Sequence, residues 1–198
     1  IAVQAALTGH LVFSTVHANE AAGAIPRLID LGVKHQSIGP ALNLVIGQRL
    51  VRRLCEYCKT PVALTEDLKT KIHKFLNSLS KRVNRDDYSD IKLFKPKGCE
   101  KCGSFGGFKG RIAIYELLLN DPEFEKVKAD SKHNALSTET GLEELILKQA
   151  GESEIMRYAL GHGMVTMQED GILKVISGIT TFEEVEEATG LIAWLGKH

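Results

Sequence analysis

Neither glycine-rich phosphate cradle occurs in this sequence: there is no G-x-x-x-x-G-K-[ST] run and no G-x-G-x-x-G following a strand pattern. The chain by itself therefore offers no recognisable nucleotide cradle. The stretch "GSFGGFKG" (Gly103–Gly110) is glycine-rich but lacks the lysine–hydroxyl ending, and it reads as a flexible turn. No run approaches the roughly 18 uninterrupted apolar residues that a spanning helix needs, so membrane association is expected through partners or through a part of the protein outside this sequence. Net charge is missing too. Lys+Arg and Asp+Glu balance at 25 each, which leaves no global field to attract nucleic acid or an anionic membrane. Aromatic residues make up only 6% of the chain, and few lie near its cysteines, which argues against base stacking. There is no initiator methionine: the opening "IAVQAALTGHLVFSTVHANE" reads as a cut made inside a larger protein, and the lack of a signal peptide then carries little weight.

What remains is an ordinary globular composition. The 198 residues, 43% apolar, suffice for one good core or two small ones. The basic clusters Gln48–Leu54 ("QRLVRRL") and Ser80–Arg85 ("SKRVNR") are local, and the second reads as a solvated helix face.

The four cysteines carry the strongest pattern. They fall as "CEYC" (Cys55, Cys58) and "CEKC" (Cys99, Cys102), two C-x2-C knuckles with 40 residues between them. This spacing lets each knuckle give two thiolates to a tetrahedral zinc, with small residues and turns aiming backbone amides at the sulfurs. The insert is longer than a zinc-ribbon gap and must carry its own structure. Paired disulfides would close strained small rings, against a reducing cytosol. A thioredoxin-like redox pair needs one such motif, not two. Unliganded thiols have no reason to pair at this spacing. A structural zinc held by Cys55, Cys58, Cys99 and Cys102 is the expectation. With every position filled by protein, it leaves no open site for a substrate.

Along the chain, Ile1–Leu7 reads as a helix end closed at Gly9, and His10–Ala18 ("HLVFSTVHA") as a buried strand. Asn19 is placed to cap a helix with Ala22, Ile25, Leu28 and Ile29 on one face, ending at Gly32. A second helix is expected from Pro40 through Leu42, Val45, Ile46 and Leu50 to the first knuckle. Helix, strand, helix is α/β grammar. The insert predicts an amphipathic helix begun by Thr65, with Leu68, Ile72, Phe75, Leu76, Leu79 and Val83 on one face. A short strand within "SDIKLFKPKG" and another at Ile112–Leu119 follow. The last third predicts short helices: one opened by Asn120–Pro122, then "LEELILKQA" and "SEIMRYALGHG", with capping boxes at Thr166/Glu169 and Thr181/Glu184.

His10 and His17 bracket the expected strand. A histidine near a strand end is commonly structural, but "STVHAN" puts small polar groups where an α/β sheet meets its following loop, the place where such sheets bind ligands. A histidine or threonine there could reach a phosphate or its attacking water.

These stretches converge on a family. "QAALTGHLVFSTVHANEAAGAIPRLIDLGV" resembles the histidine-box region of the traffic ATPases of type II secretion and type IV pilus extension. "IGQRLVRRLCEYCK", "GCEKCGSFGGFKGRIAIYELL" and "GMVTMQEDGILKVISGITTFEEVEEATG" resemble successive later blocks of the same proteins, in order, from Ile1 to about Gly190. The resemblance implies an α/β fold: the C-terminal portion of a RecA-like P-loop ATPase core (1–54), a tetracysteine zinc subdomain with a helical insert (55–110), a return strand and linker helix (111–134) and a bundle of short helices (135–198). It implies that His17 senses or orients around the γ-phosphate, that His10 is the earlier histidine of the same block, and that Arg111 and Arg49 contact nucleotide or a neighbouring subunit. It puts the four cysteines on the family's metal motif. The sequence departs from the family at Ala18, where a threonine is frequent, and at the extra glycine of "FGGFKG".

By the same resemblance the parent is a cytoplasmic homohexamer using ATP and Mg, docked on an inner-membrane platform protein without inserting in the membrane. The chain alone, lacking the phosphate loop, is expected not to hydrolyse ATP. The alternative is a zinc-stabilised interaction module that docks on the platform protein. A nucleic-acid-binding zinc ribbon is disfavoured by the neutral charge and sparse aromatics.

Overall fold

Gly9 ends the first helix as its sequence predicts. In the computed structural model, which describes residues 1–120 and 141–196, α1 spans Ala2–Leu7 and Gly9 takes φ +89°. The Gly9 and His10 amides donate back to the Ala6 and Ala5 carbonyls at 3.0 and 3.1 Å, a close that a left-handed glycine permits. Helix α2 (Ala24–Asp30) closes in the same way at Gly32, φ +85°. It starts later than the Asn19 cap implied, because Ala21–Gly23 form a turn and Gly23 takes the cap position. Its expected face holds: Ala22 and Ile25 are fully buried, with Leu28 and Ile29 packed beside them.

Two expectations are corrected. No strand forms over 10–18, where the chain has no regular secondary structure and Leu11 and Phe13 are 78% and 88% exposed. The composition suits a strand, but a strand exists only through a ladder to a neighbour. Among the described residues the sheets are made by other segments. Nor does a helix run from Pro40 to the knuckle. Helix α3 (His35–Ala41) has Pro40 in its last turn, and the chain then extends into β1 (Leu44–Leu54). The apolar positions 42, 45, 46 and 50 fit either period; β-branched Val45, Ile46 and Val51 and a partner strand decide the matter.

That partner is β4 (Phe108–Leu119). The pair is antiparallel: the Asn120 amide donates to Asn43 O at one end (2.9 Å), and the Cys55 amide to Gly107 O at the other (2.8 Å). Along β4, Ile114, Glu116 and Leu118 face inward while Tyr115 and Leu117 are exposed. Within the insert, β2 (Thr60–Pro61) pairs antiparallel with β3 (Phe94–Lys95), setting Thr60 opposite Lys95. Helix α4 (Glu66–Ser78) lies between them, its N-cap Thr65 accepting the Leu68 amide at 3.3 Å. Among the described residues four helices follow: α5 (Leu142–Leu147), α6 (Glu152–Gly161), α7 (Met167–Ile176) and α8 (Phe182–Thr189). The helix expected to open at Asn120–Pro122 lies outside the described residues. Thr166 and Glu169 form the expected reciprocal capping box; Thr181 does not cap α8 with its side chain, and the Glu184 carboxylate that would close the box is engaged by Arg52.

The chain divides into two units, Ile1–Gly47 with Glu116–Val165, and Gln48–Tyr115 with Thr166–His198; both long strands run from one into the other. The first unit centres on Ile25, Ile38, Leu118, Leu142, Ile146 and Ile155. In the second, α4 buries Ile72, Phe75 and Leu76 against Ile172, Ile176 and Val185 of α7 and α8. Each such side chain contributes about 1.5–3 kcal/mol when fully buried.

Candidate metal centre and arginine pocket

Both knuckles are backbone turns built to present sulfur. After β1, the Cys58 and Lys59 amides donate to Cys55 O at 3.2 and 3.0 Å; in the second knuckle the Cys102 and Gly103 amides donate to Cys99 O, both at 3.1 Å. Gly106 and Gly107 then turn back with φ +58° and +98°. This returns Gly107 to the Cys55 amide. A Cβ on Gly107 would lie 2.6 Å from the Pro96 Cβ, so the return admits no side chain. The β2–β3 ladder fastens the chain just beyond Cys58 to the chain just before Cys99.

These turns bring the four sulfurs within 4.8 Å of one another. Cys55–Cys99 is 4.0 Å, Cys58–Cys102 3.8 Å and Cys99–Cys102 3.8 Å. A tetrahedral ion with metal–sulfur bonds of about 2.3 Å has sulfur–sulfur edges of about 3.8 Å. The donor set thus fits a four-coordinate metal, and all four thiols are free of disulfides. The Cys99 amide also points at Cys102 Sγ at 3.1 Å, the orienting contact expected for such a site. The thiols are unequal. Burial pushes Cys58 up to about 11. Burial raises Cys99 as well, but hydrogen bonds from the Cys102 amide and the Cys58 side chain bring it down to about 7.

The same unit holds a concave pocket of about 630 Å³ lined by Arg49, Arg52, Arg111, Glu184, Glu187 and Ala188, with Leu50 and Val51. Arg49 on β1 and Arg111 on β4, singled out separately in the sequence, thus share one cavity. Arg52 and Glu184 were not among the expected site residues. Glu184, only 6% exposed, accepts the Arg52 backbone amide at 3.0 Å and Nε at 2.9 Å, with the terminal guanidinium nitrogen also in contact. That hydrogen bond holds the Arg52 pKa above its usual value. The guanidinium lies over the Phe108 ring, 4.3 Å from its centroid. The sequence signal was present but misread: Thr181-x-x-Glu184 matches a capping box, while the carboxylate is drawn to the arginine.

The histidines belong to the first unit. His10 follows the close of α1, its Nδ1 3.2 Å from the Thr8 hydroxyl. His17 is exposed on the irregular segment. The structure therefore brings together the four cysteines, and the two arginines, but does not set either histidine at a strand end.

A family model described as "Type II/IV secretion system protein" matches residues 1–187. The chain is 39% identical over 185 residues to a type IV pilus assembly ATPase PilB of Thermus thermophilus, covering 93% of this chain and 18% of that protein. It is 37% identical over 190 residues to a type II secretion system protein E of Dickeya dadantii, covering 96% and 31%. To a type IV pilus assembly ATPase PilB of Pseudomonas aeruginosa it is 33% identical over 189 residues, covering 96% and 28%. The chain thus spans less than a third of the length of these curated relatives.

Proposed function

The chain belongs to the Type II/IV secretion system protein family, and on that premise we propose that it is the C-terminal part of an ATP-hydrolysing motor for type II secretion or type IV pilus assembly. The lack of a phosphate loop supports this division, since the triphosphate cradle must then come from elsewhere in the parent. The observation that carries the reading is the shared pocket of Arg49 and Arg111. Phosphoryl transfer asks mainly for positioned cations and a group that orients water. The arginines supply the first, towards ATP and Mg held by the same or a neighbouring subunit of a homohexamer. His17, with His10 in the same block, supplies the second.

Zinc is the metal this all-sulfur set suits best, in a structural role. Cys55, Cys58, Cys99 and Cys102 would hold it, and its charge stabilises the thiolates. The parent works in the cytoplasm, against an inner-membrane platform protein. The second reading, an interaction module, draws on α4: its apolar face is used internally, while Lys69, His73 and Lys74 are exposed, so a partner would meet a polar, basic surface.

The test is steady-state ATP turnover by the full-length parent. Arg111→Ala and Arg49→Ala should each lower kcat by about 100- to 1,000-fold, the range for one lost transition-state donor, and the isolated chain should show none. Wild-type turnover in both arginine variants would refute the pocket's role; turnover by the isolated chain, abolished by His17→Ala, would refute the dependence on an upstream cradle.

A further inference from the structure

We infer that Glu116 positions the segment that carries His17, by seating the start of the turn that follows it. The inference rests on the proposed role of His17 and goes one residue shell beyond it. Glu116 is an oddity on β4: it shares the inward face with Ile114 and Leu118 and is only 2% exposed. A carboxylate in such surroundings persists only when its oxygens are hydrogen-bonded. One of them, Oε1, accepts the backbone amide of Ala21. Ala21 stands where the irregular segment becomes helical. The Gly23 amide donates to Glu20 O and the Ala24 amide to Ala21 O, both at 3.2 Å, and α2 follows. Ala21 and Ala22 are 1% and 0% exposed, whereas His17 to Glu20 are exposed.

The seat is shaped as well as bonded. A Cβ on Gly47 of β1 would stand 2.6 Å from the Glu116 Cγ and 2.8 Å from Oε1. Residue 47 must lack a side chain for the carboxylate to reach Ala21. With Ala21 fixed, His17 sits four residues away, a tether of at most about 14 Å. Losing the seat frees the tether at its buried end, and the histidine's placement with it. Glu116 touches no reacting atom in this scheme; it acts through the backbone.

The experiment pairs two readouts. In the isolated chain, amide hydrogen exchange at Ala21–Ala24 should accelerate about tenfold or more in Glu116→Ala, with α6 unchanged. Gly47→Ala should do the same by pushing the carboxylate aside. In the full-length parent, Glu116→Ala should lower kcat about tenfold while KM for ATP stays within about threefold. Glu116→Gln, whose amide oxygen still accepts from Ala21, should restore most of the rate. Unchanged exchange at Ala21–Ala24 overturns the inference, and so does freed exchange with normal kcat when His17→Ala is itself impaired. If exchange is freed while both Glu116→Ala and His17→Ala turn over normally, the seat stands and the reading of His17 falls.

Discussion

Replacing Glu184 with alanine should destabilise the second unit by about 2 kcal/mol, more than replacing the arginine it holds. Two parts make up the figure. The Arg52 backbone amide loses an acceptor that is 6% exposed, which costs about 1–1.5 kcal/mol. The guanidinium loses its partner, but that side chain is 52% exposed, so screening holds this part to about 0.5–1 kcal/mol. Arg52→Ala keeps its own backbone N–H on Glu184 and forfeits only the guanidinium contact and its place over Phe108, about 1 kcal/mol together. Glu184→Gln keeps an acceptor for the amide and should cost less than Glu184→Ala. The molecule supplies its own reporter. Its one tryptophan, Trp194, stacks on Phe75 at 5.6 Å and meets Phe182 of α8 edge-on at 6.1 Å, two residues from Glu184. Urea unfolding followed by Trp194 fluorescence reads this unit. A 2 kcal/mol loss corresponds to a fall in Tm of about 4–8 °C for a chain of this size, and the Arg52/Glu184 cycle should show coupling of about 0.5–1 kcal/mol. A Glu184→Ala variant within 0.5 kcal/mol or so of wild type, or a strictly additive cycle, would refute the account of the clamp.

The remaining predictions concern the metal and the helix packing. Metal affinity should fall as pH falls, because binding holds the sulfurs as thiolates and protons compete for them. Cys58, protonated below about 11 when metal-free, contributes about one log unit of apparent affinity per pH unit across the neutral range; Cys99, at about 7, adds its own slope only below that value. Chelator competition between pH 6 and 9 checks the steepening, and a flat profile would exclude thiolate ligation. Gly171→Ala should cost about 1–3 kcal/mol, because the new Cβ would stand 2.8 and 2.9 Å from the two methyl carbons of Val185. Adding Val185→Ala should recover part of that loss in the same fluorescence assay, and no recovery would mean that the contact is not the cause.

What was legible in the sequence was local, and what was not depended on a partner far along the chain. Thr65 and Thr166 cap helices because the groups they satisfy lie three residues away. Gly9 and Gly32 close helices for a similarly short-range reason. The cysteine site was legible although its halves are 44 residues apart, because each C-x2-C turn is itself local and only their meeting had to be inferred. Leu42–Leu50 has apolar spacing that fits both periods, and β4, some 60 residues later, turns it into a strand. The segment 10–18 has strand composition without a ladder beside it. Glu184 has the sequence position of a cap and the structural role of a clamp, a choice made by an arginine 132 positions earlier. Glu116 was hidden more deeply: nothing in "IYELL" says that the glutamate faces inward until the register of β4 is known.

The four-cysteine cluster and the arginine pocket lie next to one another along the chain at the ends of the same two strands, and this bears on what a structural metal would do here. On β1, Arg49 and Arg52 precede Cys55; on β4, Phe108 and Arg111 follow the turn that leaves Cys102. The Cys55 amide on Gly107 O joins the strands at the point where the sulfurs meet. One residue away, the Leu54 amide donates to Ile179 O at 2.9 Å and the Thr180 hydroxyl to Arg52 O at 2.8 Å, drawing the segment before α8 onto β1. Lys59, just past the first knuckle, donates to Gly178 O at 3.0 Å. Of these bonds, the one from the Cys55 amide to Gly107 O requires the first knuckle to keep its position relative to the second. An ion gripping two sulfurs from each fixes that relation with four bonds, where the protein alone offers short turns and a two-residue ladder. In the proposed reading, the metal's contribution to the arginine pocket would be geometric: it would hold the strand ends in register, so that Arg49 and Arg111 stay on one cavity.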